Sequence, residues 1–327
     1  LASITDVEEG NQKNPTAIKY RVESISVGDS LLANTEQTFQ VIVTWDKSVD
    51  ITSDHMEKEI KVTLNYEQKT GTPDVPTPSA QNATELITSK NTSGNSEGLF
   101  TDDYGNIRYR GSNSEVKNYV TFNGETWRII GLFYGKIKLI RNNSVNNMKW
   151  NHEPSNNWST SSTKDYLNGT YYNSLSSTAK NQIEPSTFYL GGTNTVQGVY
   201  SKDMYLKERG TAVYTGNPTT ITQNIGLMYP SDYGYASRSS CDRDLSYYDF
   251  DPNCSTEGNW LFHEPEEWFQ TPRSDTNSNV LSLAYDGYVV VETSTASLYQ
   301  IRPVLFLKPS VQMTVGDGTS ANPYIIS

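Results

Sequence analysis

The chain has no apolar run approaching the roughly 20 residues that a membrane-spanning helix needs, so no such span is expected. Histidine is scarce: His55, His152 and His263 are the only three in 327 residues, and they lie far apart. His263-Glu264-Pro265-Glu266-Glu267 starts like a zinc-protease helix, but no second histidine follows, and Pro265 would break the helix that sets the ligand spacing. There is no GxSxG elbow either. Basic residues are outnumbered, 26 to 37, and they form no run; a net charge of −11 leaves no footprint for nucleic acid or anionic lipid. No base, nucleophile and orienting group can be assembled, so the expectation is no catalytic residue, no enzyme activity and no tightly held transition metal.

Charge of either sign is also sparse, at 19%, and Asn, Ser, Thr and Tyr carry the polarity instead, as in many extracellular bacterial proteins. Hydrophobic residues make up only 35%, but 22 Tyr and 6 Trp offset this, since each large ring buries much apolar area. Cys241 and Cys254 are the only cysteines, and their closeness in an extracellular-type composition suits a disulfide. No signal-peptide pattern stands at Leu1 and no LPxTG sequence near the end, which for a surface protein leaves a cleaved signal or a fragment of a longer chain.

Residues 70–85 include TGTPDVPTPSAQN, whose Pro73, Pro76 and Pro78 favour extended backbone, and they are expected to link two domains. The first region, 1–69, reads as strands: 17–25, 38–45 and 59–68 alternate. Val41, Val43, Trp45, Ile60, Val62 and Leu64 are candidates for one apolar face. Three strands leave such a face and two edges uncovered, so strands from a neighbouring subunit or from upstream residues are expected to complete the sheet. The second region, 86–327, is mixed. NYVTFNGETWRII, at 118–130, places Asn123-Gly124 between alternating apolar residues, the strongest short-range hairpin signal. Ser162 or Thr163 can cap a short helix ending near Gly169, and 174–183 can form a second. MTVGDGTSANPYII reads as a last hairpin turning at Gly316-Asp317-Gly318.

The loop between the cysteines carries Asp242, Asp244, Asp249 and Asp251. Asp249 and Asp251 could lend oxygens to calcium, but the EF-hand glycine and bidentate Glu are missing, and a solvated acidic loop closed by a disulfide is the favoured reading. Among the late aromatics, Trp260 and Phe262 are expected in the core, whereas Trp268, Tyr285, Tyr288 and Tyr299 are candidates for a ligand face, where rigid rings give contact area at little entropic cost. Arg302-Pro303 precedes VLFLK, a buried strand by its composition, and Arg302 is expected to anchor an internal carboxylate.

The hairpin, then IKLIRNN, STKDYLNGTYYNSLSSTAKNQI, IGLMYPSDYGYAS, the cysteine pair with NWLF, and IRPVLFLKPSVQMTVGDGTSANPYIIS form an ordered set. In that order they resemble uncharacterised C-type-lectin-like domains on surface proteins of gut-dwelling Gram-positive bacteria, over about 86–327. The resemblance implies an α+β fold: a curled antiparallel sheet with two short helices. In the first region an acidic-Gly turn, TFQVIVTWD and IKVTLNYEQ resemble the camelysin and biofilm-fibre β-sandwich family. The cysteines do not match the closely spaced pair of the formylglycine-generating enzymes, which share the lectin-like architecture. Glu153-Pro154 and Glu264-Pro265 resemble the Glu-Pro dipeptide of calcium-dependent lectins, but neither is followed by Asn. Together the resemblances imply an extracellular, cell-surface or fibre subunit that displays a binding domain for a carbohydrate or protein ligand. The alternatives are a stand-alone secreted adhesin and a retroelement-diversified or phage receptor-binding protein.

Overall fold

Asn123 and Gly124 both take positive φ, 54° and 72°, and join β8 (Tyr119–Phe122) to β9 (Glu125–Phe133) in a two-residue turn, with Val120 opposite Trp127 and Phe122 opposite Glu125. Tyr134 and Gly135, at 52° and 75°, repeat the device between β9 and β10 (Lys136–Arg141). These strands belong to a computed structural model that describes residues 3–9, 18–27, 29, 38–48, 59–65, 80–92, 94–95, 98–295, 297–314 and 316–327. The chain divides into two compact units, Leu1–Thr77 and Pro78–Ser327.

In the first unit β1 (Ser3–Glu9) pairs antiparallel with β4 (Glu59–Asn65), and β2 (Ile18–Glu23) with β3 (Gln40–Trp45). The sequence reading missed β1, whose acidic alternation carries no apolar face. It therefore counted three strands where four are described, and the described strands form two separate ladders. Val41, Val43 and Trp45 lie on one face of β3 and are 41%, 55% and 44% exposed. Val62 and Leu64 are half-buried on β4, where Ile60 stands opposite Glu8 in the register. The proline-rich stretch up to residue 79 lies outside the described residues. Its expected end at 85 is too late, because β5 (Gln81–Asn82) and helix α1 (Ala83–Lys90) are part of the second unit: β5 pairs with the strand Gln312–Thr314, and Ile87 is buried in the core.

The second unit is α+β, built on a curled ten-stranded sheet. Val304–Phe306 runs between Ile225–Gly226 and β10, next come β9 and β8, and the terminal hairpin, Gln312–Thr314 with Tyr324–Ile326, closes on β8 and β5. A smaller hairpin, β6 (Leu99–Thr101) with β7 (Ile107–Tyr109), joins the same sheet through β9. A second, five-stranded sheet contains Glu267–Pro272, Asn279–Leu283 and Val289–Thr293.

Helix content exceeds the two short helices expected. Ser161, not Ser162, caps the first of them, its Oγ accepting the Lys164 N–H at 3.2 Å. The chain then runs α2 (Ser162–Asp165), a π turn over Tyr166–Tyr171 and α3 (Tyr172–Ser174), passing Gly169 without stopping. Ser176 caps α4 (Ser177–Gln182) in the same way. The helices α5 (Ser201–Glu208) and α6 (Pro230–Tyr235) were not expected.

The core takes Trp127, Trp150, Trp158, Trp260 and Trp268. Four of these indoles donate to acceptors inside the fold, Trp150 to Phe269 O, Trp158 to Gln223 Oε1, Trp260 to Tyr109 O and Trp268 to Met148 O. Arg302 does anchor a carboxylate: it grips Glu267 through Nε at 2.9 Å to both oxygens, and its Nη2 also reaches the Leu261 carbonyl at 2.8 Å. Both side chains are buried.

Candidate ligand-binding cleft

Asp102 closes the turn between β6 and β7 by accepting the Tyr104 and Asn106 N–H groups, both at 2.9 Å, with Gly105 at a φ of 80°. The hairpin tip then lies on α5. The Tyr104 ring stacks on Tyr205 at 4.5 Å, and its hydroxyl donates to Lys202 O at 3.0 Å. Helix α5 in turn packs on α6 at very short range. Any Cβ on Gly234 would overlap Ser201 Oγ, so only glycine permits this approach. Tyr248, buried between them, exchanges a hydrogen bond with Ser201 Oγ and donates to Gly234 O. The Cys241–Cys254 disulfide closes the loop beyond α6, and Arg238 N donates to the Asn253 and Gly258 carbonyls across it.

These four segments enclose a cleft of about 340 Å³, at the lower end of small-molecule sites. Arg110, Lys202, Arg238 and Arg243 line it against two carboxylates, Asp102 and Asp103. Asp102 is paired with Arg108 at 2.5 Å, and Arg238 holds Glu115 through two 3.0 Å bonds, which bring the Glu115 carboxyl down to about 2. Among the described residues Arg243 has one carboxylate within reach, Asp242 at 3.9 Å. Arg110 has no carboxylate partner among the described residues; its guanidinium lies over the Phe100 ring at 4.2 Å, and burial lowers its pKa. Asp103 accepts the Tyr235 hydroxyl at 2.8 Å. Tyr200, 45% exposed, forms part of the wall, and Thr101, Ser201, Ser237 and Ser239 add hydroxyls.

Beneath the floor lies a buried ionic network. Asp232, on α6, accepts from Arg108 Nη1 at 3.1 Å, from Lys138 Nζ and from the Tyr229 N–H at 3.0 Å. Burial works to raise its pKa, but Lys138 and Arg108 outweigh it and hold the carboxyl below its ordinary value. Burial brings Lys138 down to about 8. At the end of α5, Glu208 accepts from Ser231 N at 2.8 Å and from Ser231 Oγ at 2.5 Å, and pairs with Arg209 at 3.2 Å; burial raises its carboxyl to about 7. On the far side of this network is a second cavity of about 210 Å³, lined by Tyr134, Tyr189 and Arg209 among others. Its arginine is already paired with Glu208 and stacked on Tyr205 at 3.4 Å, so it has no charge waiting for a ligand.

Glu208 and His263 give opposite pH dependences. Folded Glu208 binds a proton that the unfolded chain releases between about pH 4.5 and 7, so its contribution to stability is lost as pH rises. His263, held neutral by burial and by Arg302 down to about pH 4, contributes stability that is lost as pH falls from about 6.5. In the native chain the two offset each other. Glu208→Gln keeps the Ser231 contacts and is expected to make stability climb from pH 4.5 to 6.5, relative to wild type, by on the order of 2 kcal/mol. His263→Asn should tilt the profile the other way. Urea denaturation at pH 4.5, 5.5 and 6.5 measures this; parallel wild-type and Glu208→Gln profiles would contradict it.

The residues nominated from sequence are divided by the fold. Trp268 is fully buried and hydrogen-bonded, so the ligand-face reading is corrected: its strand is buried on both sides. Tyr299 is half-buried and packs on it at 4.6 Å. Tyr285, 64% exposed, and the half-buried Tyr288 flank Asp286, with Asp249 beside them; burial and the Asp286 charge raise the Asp249 carboxyl. Asp251 turns away to accept from Asn253 N at 2.9 Å. Among the described residues no three His, Cys, Asp or Glu side chains group as metal ligands would. None of the nominated ligand residues lines the cleft. Its basic residues come from four separate segments, and no spacing in the sequence joins them.

Residues 134–309, just over half of the chain, match a family model described as a domain of unknown function (DUF6273). The match takes in Tyr200, Lys202, Tyr235 and Arg243 but ends short of Phe100, Asp103 and Arg110, which complete the cleft. No curated protein and no solved structure matches the chain.

Proposed function

The chain belongs to this family of domains of unknown function, and from that premise we propose a non-enzymatic, extracellular surface or fibre subunit whose second unit binds a ligand in the cleft between α5, α6 and the β6–β7 hairpin. The observation that carries this reading is Arg110. A guanidinium partly withdrawn from water, with an aromatic ring beside it but no carboxylate partner among the described residues, is a group prepared for an acceptor from outside. The cleft is small and polar, and its position is fixed by a buried ionic network and a disulfide, as a preformed binding site requires. The disulfide also suits an oxidising, extracellular location. A curled, mainly antiparallel sheet, parallel where Tyr324–Ile326 meets β8, with short helices beside it supports the C-type-lectin-like reading of this unit.

Assembly falls to the first unit. The exposed row Val41, Val43 and Trp45 on a two-stranded ladder supports strand addition from a neighbouring subunit. The binding half of the proposal is tested on an array of neutral and acidic saccharides probed with the full chain. Saturable binding that falls at least tenfold in Arg110→Gln, with an unchanged melting temperature, is the expected result. An array with no saturable binding, or binding indifferent to Arg110, would remove the cleft from the account.

A further inference from the structure

We propose that the ligand of this cleft is a carboxylate-bearing pyranose, a singly charged acidic saccharide of the uronic or sialic kind. The inference rests on the reading of the cleft as a binding site and names what it takes.

Charge comes first. Setting aside Asp102, paired with Arg108, Arg238, paired with Glu115, and Arg243, 3.9 Å from Asp242, the cleft presents Arg110 and Lys202 against Asp103 alone. A cationic cleft on a chain of net charge −11 is a local arrangement that the composition does not supply. It selects an anion, and the planar fork of Arg110 suits a carboxylate.

Asp103 then narrows the choice. A sulfate group would meet this carboxylate with nothing to donate to it, and a phosphate with no more than its remaining P–OH and up to two negative charges, each at a cost in like-charge repulsion. A sugar acid brings one negative charge for the cations and several hydroxyl donors for Asp103. The Ser239 hydroxyl extends the same preference for a polyhydroxylated partner, whereas those of Thr101, Ser201 and Ser237 already bond to Asn91, Tyr248 and the Gly234 carbonyl. The walls add Tyr200 and Tyr235, flat surfaces of the sort against which the C–H faces of a sugar ring pack. A volume of about 340 Å³ fits a short saccharide and excludes a polyanion lying along its length.

The test is calorimetric titration of the full chain with N-acetylneuraminic acid, digalacturonic acid, the neutral digalactose and inorganic phosphate, repeated with Arg110→Gln. At least one of the two acids should bind tenfold or more tighter than digalactose and phosphate, and Arg110→Gln should abolish that margin while leaving the melting temperature unchanged. Which acid binds separates the sialic from the uronic source. Binding of digalactose as tight as the acids would overturn the inference and leave the binding-site reading in place. Phosphate binding as tight as the acids would reduce the cleft to a simple anion site and overturn it as well. Silence from all four probes together with neutral hits on the array overturns the inference alone, whereas silence in both experiments overturns both.

Discussion

Asp232→Ala is expected to destabilise the second unit by about 3–5 kcal/mol. Asp232 is fully buried and compensates two buried cations, Arg108 and Lys138, while also accepting the Tyr229 N–H at the start of α6. Removing one partner of a buried ion pair costs about 3–5 kcal/mol, because the remaining charge stays in a medium that solvates it poorly. Here Lys138 is left without a carboxylate, while Arg108 keeps Asp102, against a total domain stability of about 5–15 kcal/mol. Lys138, already near 8 through burial, would be the first to give up its proton, which limits the loss at alkaline pH. Far-UV and near-UV circular dichroism with urea titration measures this. An Asp232→Ala chain within about 1 kcal/mol of wild type would mean that the network does not hold α6 against the sheet.

The second large effect is expected at Arg302. Arg302→Met removes both bonds to Glu267 and the donor to the Leu261 carbonyl, and should cost about 3–5 kcal/mol. The double variant Arg302→Met with Glu267→Leu should recover most of that loss, because the expense of the single change lies in the abandoned carboxylate. Recovery should be incomplete, since the Leu261 carbonyl still lacks its donor. Urea denaturation of the two variants decides it: a double variant as unstable as the single one would show that the arginine contributes by packing.

Legibility in the sequence followed how local the cause was. Asn123-Gly124 announced its hairpin because two consecutive positive φ values are tolerated by few residue pairs. Arg302 was legible because an arginine at the head of an apolar strand has little choice but to find a carboxylate. By contrast α6, Pro-Ser-Asp-Tyr-Gly-Tyr, carries proline and glycine and no amphipathic period. It is helical because it is buried and because Asp232 is held from outside the helix, so tertiary contacts override propensity. Trp268 was misplaced for a related reason. In a strand buried on both faces, alternation no longer separates inside from outside. The cleft was invisible because Arg110, Lys202, Tyr235 and Arg243 meet only once α5 packs on α6, an approach that depends on the missing side chain of Gly234. In the first unit, β1 escaped notice because Asp6 and Glu8 stand opposite Val62 and Ile60 where apolar residues would have marked a core strand.

The central claim is that the cleft beside Arg110 is where this protein meets its ligand, and a crystal structure of the full chain grown with digalacturonic acid or N-acetylneuraminic acid tests it most directly. The account predicts a sugar ring bound in the cleft with its carboxylate on Arg110. A ring bound instead over Tyr285 and Tyr288, with the cleft holding only water, would contradict it.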